Sequence, residues 1–208
     1  MNRLPLLFVG ILLVFSTSWI GLVAYPYLNL GHLAPGTSSD GLVPPPMTAS
    51  AIAGERVYAA NGCIYCHSQQ VRPAWLSTDI QKGLGPRQTV ARDYIRQSPT
   101  FLGTMRSGPD LSNIALRQPL PGWHYQHLYE PDMVTAGSIM PSFRFLFRVQ
   151  PIQGQPSLEA VTVRGPHAPP PGYEVVPTQD ARDLVAYLLS LKHDYPLPEV
   201  PEPPKAKK

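Results

Sequence analysis

Both cysteines of this 208-residue chain fall within five consecutive residues, Cys63-Ile64-Tyr65-Cys66-His67. This is the C-x-x-C-H pattern of covalent c-type haem attachment. Two thiols separated by two residues on a tight turn can each add to one vinyl group of a porphyrin. The next residue then aims its imidazole at the iron. No cysteine is left for a disulfide framework, so the fold must be held by its apolar residues and by the group the motif binds. Two other chemistries fit the residues less well. A thioredoxin-like dithiol wants an early strand–helix pattern and has no use for His67. A zinc site joining Cys63 and Cys66 to His124 and His127 would use an H-x-x-H spacing shorter than usual and leave His67 without a role.

An iron held by His67 needs a sixth ligand. Met140, in Ser138-Ile139-Met140-Pro141 and 73 positions after His67, is the leading candidate, because a thioether beside a proline is held rigidly on its loop. Methionine ligation also suits a high-potential carrier. Met105 and Met133 compete for the role. His124 or His127 could supply a second axial imidazole, or line the crevice or a partner surface. A ligating histidine needs an acceptor for its other ring nitrogen. The turn Gly108-Pro109-Asp110-Leu111 offers the Pro109 carbonyl, and a plain β-turn at a loop corner is the equal alternative. Arg72, Arg106, Arg117 and Trp123 are candidate partners for haem propionates.

From Leu4 to Tyr25 the chain runs 22 residues without a charge. As a helix this spans roughly 33 Å, about the hydrocarbon thickness of a bilayer. A cleaved signal peptide would be shorter and would end in a better small-residue site than Leu22 and Ala24 provide. Residues 1–25 therefore read as a retained transmembrane anchor, with Trp19, Tyr25 and Tyr27 at an interface. Arg3 sets the orientation only weakly, towards a cytoplasmic N-terminus.

Proline contributes 26 residues, about an eighth of the chain against a usual ~5%, which forbids continuous regular structure. Residues 26–47 read as a stiff Pro/Gly-rich linker. A helix capped by Thr48 runs to Gly62, and irregular structure dominates to about Pro121, with short helices around Thr89–Gln97 and His124–Tyr129. Residues 148–177 read as a loop excursion carrying the β-branched run Ala160–Val163 and at most a small hairpin. So proline-rich a segment is expected to have no core of its own and to lie over a neighbouring subunit. Thr178 caps a clear final helix, with Ala181, Leu184, Val185, Leu188 and Leu191 on one face. Residues 196–208 read as a disordered tail. The net charge of +3 is too mild to ask for nucleic acid.

Gly54 with Tyr58, and Leu184-Val185-Ala186-Tyr187-Leu188, resemble the crossing terminal helices of class I cytochromes c. The run Cys66-His67-Ser68-Gln69-Gln70-Val71-Arg72-Pro73 resembles the CHSQQVRP stretch of the membrane-anchored mono-haem subunit (subunit II) of cbb(3)-type haem–copper cytochrome c oxidases. Arg106–Leu111, Trp123–Tyr129 with Pro131, and Ser138–Ser142 resemble that family's RTGPDL, WHxxHLYxP and SxMPxY. The resemblance covers roughly residues 1–147 and returns at the last helix. Departures lie at Ser112–Arg117, at Ala74-Trp75 and in the long 148–177 excursion.

The resemblance implies an all-α class I cytochrome c domain with extended loops, residues 48–195, on a single N-terminal transmembrane helix. It implies one covalently bound haem c on Cys63 and Cys66, iron held by His67 and Met140, and Pro109 supporting His67. The expected partners are the catalytic haem–copper oxidase subunit, another c-type cytochrome as electron donor, and the membrane. The expected location is the cell inner membrane, with the haem domain on the periplasmic side. No substrate turnover is expected from this chain alone. The rival readings are the anchored cytochrome subunit of another respiratory complex, such as nitric oxide reductase, and a haem-based ligand sensor or peroxidase-like protein.

Overall fold

The computed structural model describes residues 3–38 and 41–200. Its apolar N-terminal run is helical from α1, Leu4–Trp19, through a single π-helical turn, Ile20–Ala24, into α2, Tyr25–Leu30. The π turn precedes Pro26, which lacks an N–H and whose ring would collide with the carbonyl four residues back; widening the helix there relieves the conflict. Tyr25 N–H accordingly reaches Ile20 O. The helix thus runs five residues past the expected end at Tyr25. Its 27 residues are long and apolar enough to cross a membrane, and none of the side chains is buried within the chain.

The expected linker is more ordered than its composition suggested. β1, Gly36–Ser38, pairs antiparallel with β2, Gly41–Val43, and Val43 is buried. Arg96 Nε donates to Pro44 O at 2.8 Å, which fastens this segment to the domain.

Two helices organise the core. In α3, Ala49–Ala60, the Thr48 hydroxyl accepts from Ala51 N–H; in α7, Gln179–Ser190, the Thr178 hydroxyl accepts from Ala181 N–H. Each cap satisfies a donor that the first helical turn leaves unpaired. The helices cross at Gly54. A Cβ there would overlap the Asp183 carbonyl and stand 2.9 Å from Leu184 N, so only glycine permits the approach. Ring packing fills the flanks, with Tyr58 5.3 Å from Tyr187 and 5.7 Å from Phe101 between centroids. Ser50 Oγ donates to the Asp183 carboxylate across the same crossing.

Short helices α4, Ile114–Arg117, α5, Pro121–Tyr129, and α6, Pro131–Val134, follow the irregular middle of the chain. Of the two short helices expected, the second is α5, begun three residues early by a proline at its first position. The first shrinks to a 3-10 turn, Ala91–Tyr94.

The excursion differs from its expectation in two respects. β3, Phe147–Pro151, pairs antiparallel with β4, Tyr173–Pro177, in the register Phe147↔Pro177 through Pro151↔Tyr173. The Ala160–Val163 run is not a strand; Val161 N–H instead donates to Val175 O at 2.8 Å. The segment also has a share in the core, since Phe147, Val161 and Val175 belong to the main buried cluster with Tyr58 and Leu184. Four consecutive residues of β4, Glu174–Pro177, are buried, which gives this proline-rich segment its place in the core. With β1–β2 and β3–β4, each a two-stranded antiparallel sheet, the chain departs from an all-α class.

The first tail residues pack rather than dangle. Leu197 is buried, and Glu199 accepts from Arg92 Nε at 2.7 Å. The remainder of the expected disordered tail, 201–208, lies outside the described residues.

Candidate functional site

Gly62 ends α3 with a φ of +68°, a left-handed conformation that glycine adopts without steric cost. The chain then folds into a 3-10 turn, Cys63–Tyr65. Cys66 N–H and His67 N–H both point back to Cys63 O, at 3.2 and 3.0 Å. Local geometry alone therefore brings the two thiols and the imidazole onto one turn. Cys63 is half-buried against the core and Cys66 is exposed. Burial pushes the Cys63 thiol up to about 11, so it is protonated at neutral pH.

His67 is held from behind. Its Nδ1 lies 2.7 Å from Pro109 O. A carbonyl can only accept, so Nδ1 carries the proton and Nε2 keeps its lone pair. The ring rests on Gly108, where a Cβ would stand 2.7 Å from Nδ1 and 2.8 Å from Nε2. Gly108 N–H donates to Cys66 O at 3.0 Å, which locks the two loops together. Burial lowers the His67 pKa below the usual imidazole value, against the opposing effect of the Pro109 hydrogen bond.

The residues around this pair are tied by a buried polar network. Ser68 Oγ donates to Asp110 Oδ2 at 2.6 Å and accepts from Arg106 Nε at 2.7 Å. Gln70 N–H reaches the same Asp110 oxygen at 2.7 Å. Arg106 also grips Asp79 through both terminal nitrogens, at 2.6 and 2.8 Å, and Gln70 O at 2.6 Å. Burial alone would raise the Asp79 pKa. The hydrogen bonds from Arg106, Arg72 N–H and Ser77 outweigh it and hold the carboxyl down at about 2. Gln69 pairs with the Tyr187 hydroxyl of α7 at 3.0 Å. The Ser-Gln-Gln run after His67 and the Asp after Pro109 thus form a clamp that keeps the His67 loop and the Pro109 loop in register.

One cavity of about 460 Å³ opens beside this turn. His67 and Cys66 line one side; Met140 with Pro141, and the Arg117, Trp123 and His127 side chains, line the rest. Of the three methionines considered for the sixth position, Met140 alone reaches this cavity. Met105 is exposed, and Met133 Sδ accepts from Arg164 N–H at 3.4 Å. His124 is buried away from the cavity with Nε2 at 2.8 Å from Gln118 O. His127 does line it, stacked on Trp123 at 4.6 Å. Burial, with His67 and His124 nearby, lowers its pKa to about 4, so its ring is neutral. Among the described residues no three His, Cys, Asp or Glu side chains converge to hold a metal ion, as the zinc reading would need.

The propionate candidates divide. Arg106 is committed to Asp79 and Ser68, and Arg72 does not line the cavity. Arg117 and Trp123 do line it. Asp79 and Asp110, which carry the clamp, were invisible as a pair in the sequence. The only local signal was Asp110 following the Gly-Pro pair.

A family model described as cytochrome c oxidase, mono-heme subunit/FixO, matches residues 6–164, well over half of the chain. The chain belongs to this family. A search of curated proteins finds no match. Membership agrees with the likeness to the cbb(3)-type mono-haem subunit drawn from the CHSQQVRP run, and it brings electron transport, one haem and association with a cytochrome oxidase complex. The matched residues include most of the N-terminal apolar helix, the Cys63–His67 turn, the Met140 loop and the first half of the excursion, while α7 lies beyond them. The side chains on the cavity fit the group that the family description names. A neutral imidazole with Nε2 free, a thioether and a thiol share one wall-to-wall space, and Arg117 Nε and His127 Nδ1 are buried donors or acceptors with no partner inside the chain.

Proposed function

We propose that this chain carries one haem c, joined through thioethers to Cys63 and Cys66, with His67 Nε2 and Met140 Sδ as axial ligands. It passes single electrons to the catalytic haem–copper subunit of an oxygen-reducing oxidase. The observation that carries the reading is the shared cavity: His67, oriented by Pro109 O, and Met140 line the same space beside Cys66. When bound, the haem supplies the one-electron couple.

The chain's own residues supply the rest. Pro109 O fixes the His67 tautomer, and Gly108 lets the two loops close on the ring. The Ser68–Asp110–Arg106–Asp79 clamp resists movement of His67 when the charge in the cavity changes. A site that does not rearrange suits outer-sphere transfer, and two protein ligands leave no open position for substrate. The helix Leu4–Leu30 is the anchor, with its N-terminus cytoplasmic and the haem domain on the outer side of the inner membrane. Another c-type cytochrome supplies the electrons.

A tag on this chain, expressed in its native oxidase background, tests the reading. The co-purified complex should contain a copper-bearing catalytic subunit and oxidise reduced cytochrome c. A C63S/C66S double variant should assemble without haem staining at this chain's mass and lose that electron delivery. A co-purified catalytic subunit with non-haem iron and no copper would assign the chain to a nitric oxide reductase instead.

A further inference from the structure

Met140 stands on a loop with little core of its own. From Thr135 to Phe145 no side chain is buried, and Met140 and Phe143 only lean on the main apolar cluster. Polar ties hold the loop instead, and they converge on one residue. Glu130 sits between α5 and α6 with its side chain 12% exposed. Its Oε2 accepts from Ser142 Oγ at 3.0 Å and from a terminal nitrogen of Arg144. The Arg144 guanidinium also lies over the Tyr129 ring, 5.5 Å from its centroid. Between these two residues, Phe143 N–H donates to Leu128 O at 2.8 Å. The chain just past Met140 is thus fastened to the end of α5, the helix that carries Trp123 and His127 on the cavity wall.

The excursion adds a further tie. His167, in the 3-10 turn Gly165–His167, has Nδ1 2.6 Å from the same Arg144 nitrogen. A guanidinium only donates, so Nδ1 accepts and the ring proton sits on Nε2, 3.8 Å from Glu130 Oε2. Arg144 is thereby gripped between Glu130 and His167. The family match ends at residue 164, so this contact is made by a part of the chain outside it.

We infer that Glu130 is a positioning residue that keeps Met140 in the cavity, and that the excursion, through His167 and Arg144, is the strap that braces it. The proposal rests on the haem reading above, with Met140 as sixth ligand. Glu130 does not itself line the cavity; it acts through Ser142 and Arg144. Its formal charge strengthens both hydrogen bonds.

The test is carbon monoxide binding to the reduced, purified holo-protein, full chain in detergent, followed by stopped flow at saturating gas. The gas binds only after Met140 leaves, so the limiting rate reports that departure. E130A should raise it about tenfold, the size of one charge-assisted hydrogen bond at a partly exposed site. H167A removes only the brace and should raise it about threefold. In E130A the long-wavelength charge-transfer band of thioether-ligated ferric haem should weaken as well. D93N controls for general loosening: it breaks the buried Arg87–Asp93 pair, which lies off the cavity, and its rate should match wild type. An E130A rate equal to wild type, while M140L binds the gas rapidly, would overturn this inference and leave the haem reading standing. A D93N rate raised as far as that of E130A would overturn it too. A wild-type rate equal to that of M140L would instead remove Met140 as the sixth ligand. An H167A rate equal to wild type would strike the strap from the proposal. If E130A does not accumulate, S142A decides: a rise of about threefold supports the inference, and an unchanged rate overturns it.

Discussion

Replacing Gly54 by alanine adds one methyl group at the α3–α7 crossing, and the geometry there sets the size of the effect. The new Cβ would stand 2.9 Å from Leu184 N and overlap the Asp183 carbonyl. Both neighbours are backbone, so no flexible side chain can swing aside. Relief must come from the helices parting by on the order of 1 Å, and a radial gap of about 0.5–1 Å forfeits a quarter to a half of each dispersion contact it opens. The contacts at stake are those of Ala51, Tyr58, Ala181, Leu184 and Tyr187, none more than 1% exposed. Overpacking typically costs about 1–3 kcal/mol. A clash against main chain belongs at the upper end, about 3 kcal/mol. For a chain of this length that lowers Tm by about 6–12 °C. Circular dichroism melts of the purified full chain in detergent, wild type against G54A at equal haem occupancy, measure it. A G54A melt within about 2 °C of wild type would refute the claim that this crossing needs a residue without a side chain.

Other outcomes follow from the site. G108A pushes a methyl group into the His67 ring, so the imidazole should leave Pro109 O and the reduced protein should show a weakened or high-spin haem spectrum; an unaltered low-spin spectrum would count against the Gly108 contact. M140L should open the distal side, giving rapid and complete carbon monoxide binding to reduced protein, whereas wild type resists; equal binding by the two would place the sixth ligand elsewhere. Asp79 has a depressed folded-state pKa, so its contribution is fully present above the ordinary carboxylate value. It should be lost as pH falls from about 4 towards 2. D79N should therefore be less stable than wild type by about 2 kcal/mol at pH 7, with the difference shrinking at pH 2. A pH-independent gap in denaturant melts would exclude the Arg106–Asp79 pair as its source.

The Cys63–His67 turn was legible because its geometry is local. Cys63, Cys66 and His67 lie within one turn, and covalent spacing dictates their geometry before any tertiary contact forms. The crossing of α3 and α7 was legible in part: Thr48 and Thr178 mark the two caps, the apolar face of the last helix recurs at helical spacing, and the close approach at Gly54 came from the resemblance to class I cytochromes c. Met140 could be ranked by its proline neighbour, but which methionine reaches the cavity is a tertiary fact. The Arg106–Asp79 pairing spans 27 residues of irregular chain, and no periodicity announces it. A small hairpin within residues 148–177 was legible, but its strands were not, because the β-branched run Ala160–Val163, which is not a strand, is a stronger local signal than Phe147–Pro151. The pairing goes with the burial of Val175, which joins the same apolar cluster as Leu184 of α7. The tail was misjudged for the opposite reason: its composition is that of a disordered segment, yet one leucine and one ion pair suffice to seat its first residues.

The central claim is that two thiols and the neighbouring imidazole hold one haem permanently. A pyridine haemochrome spectrum combined with the denatured mass of the mature protein, made in a host competent for haem attachment, tests it most directly. The expected result is a c-type haemochrome spectrum and a polypeptide heavier than its sequence by a single haem. A mass equal to the polypeptide alone, or a spectrum typical of haem with intact vinyl groups, would contradict it.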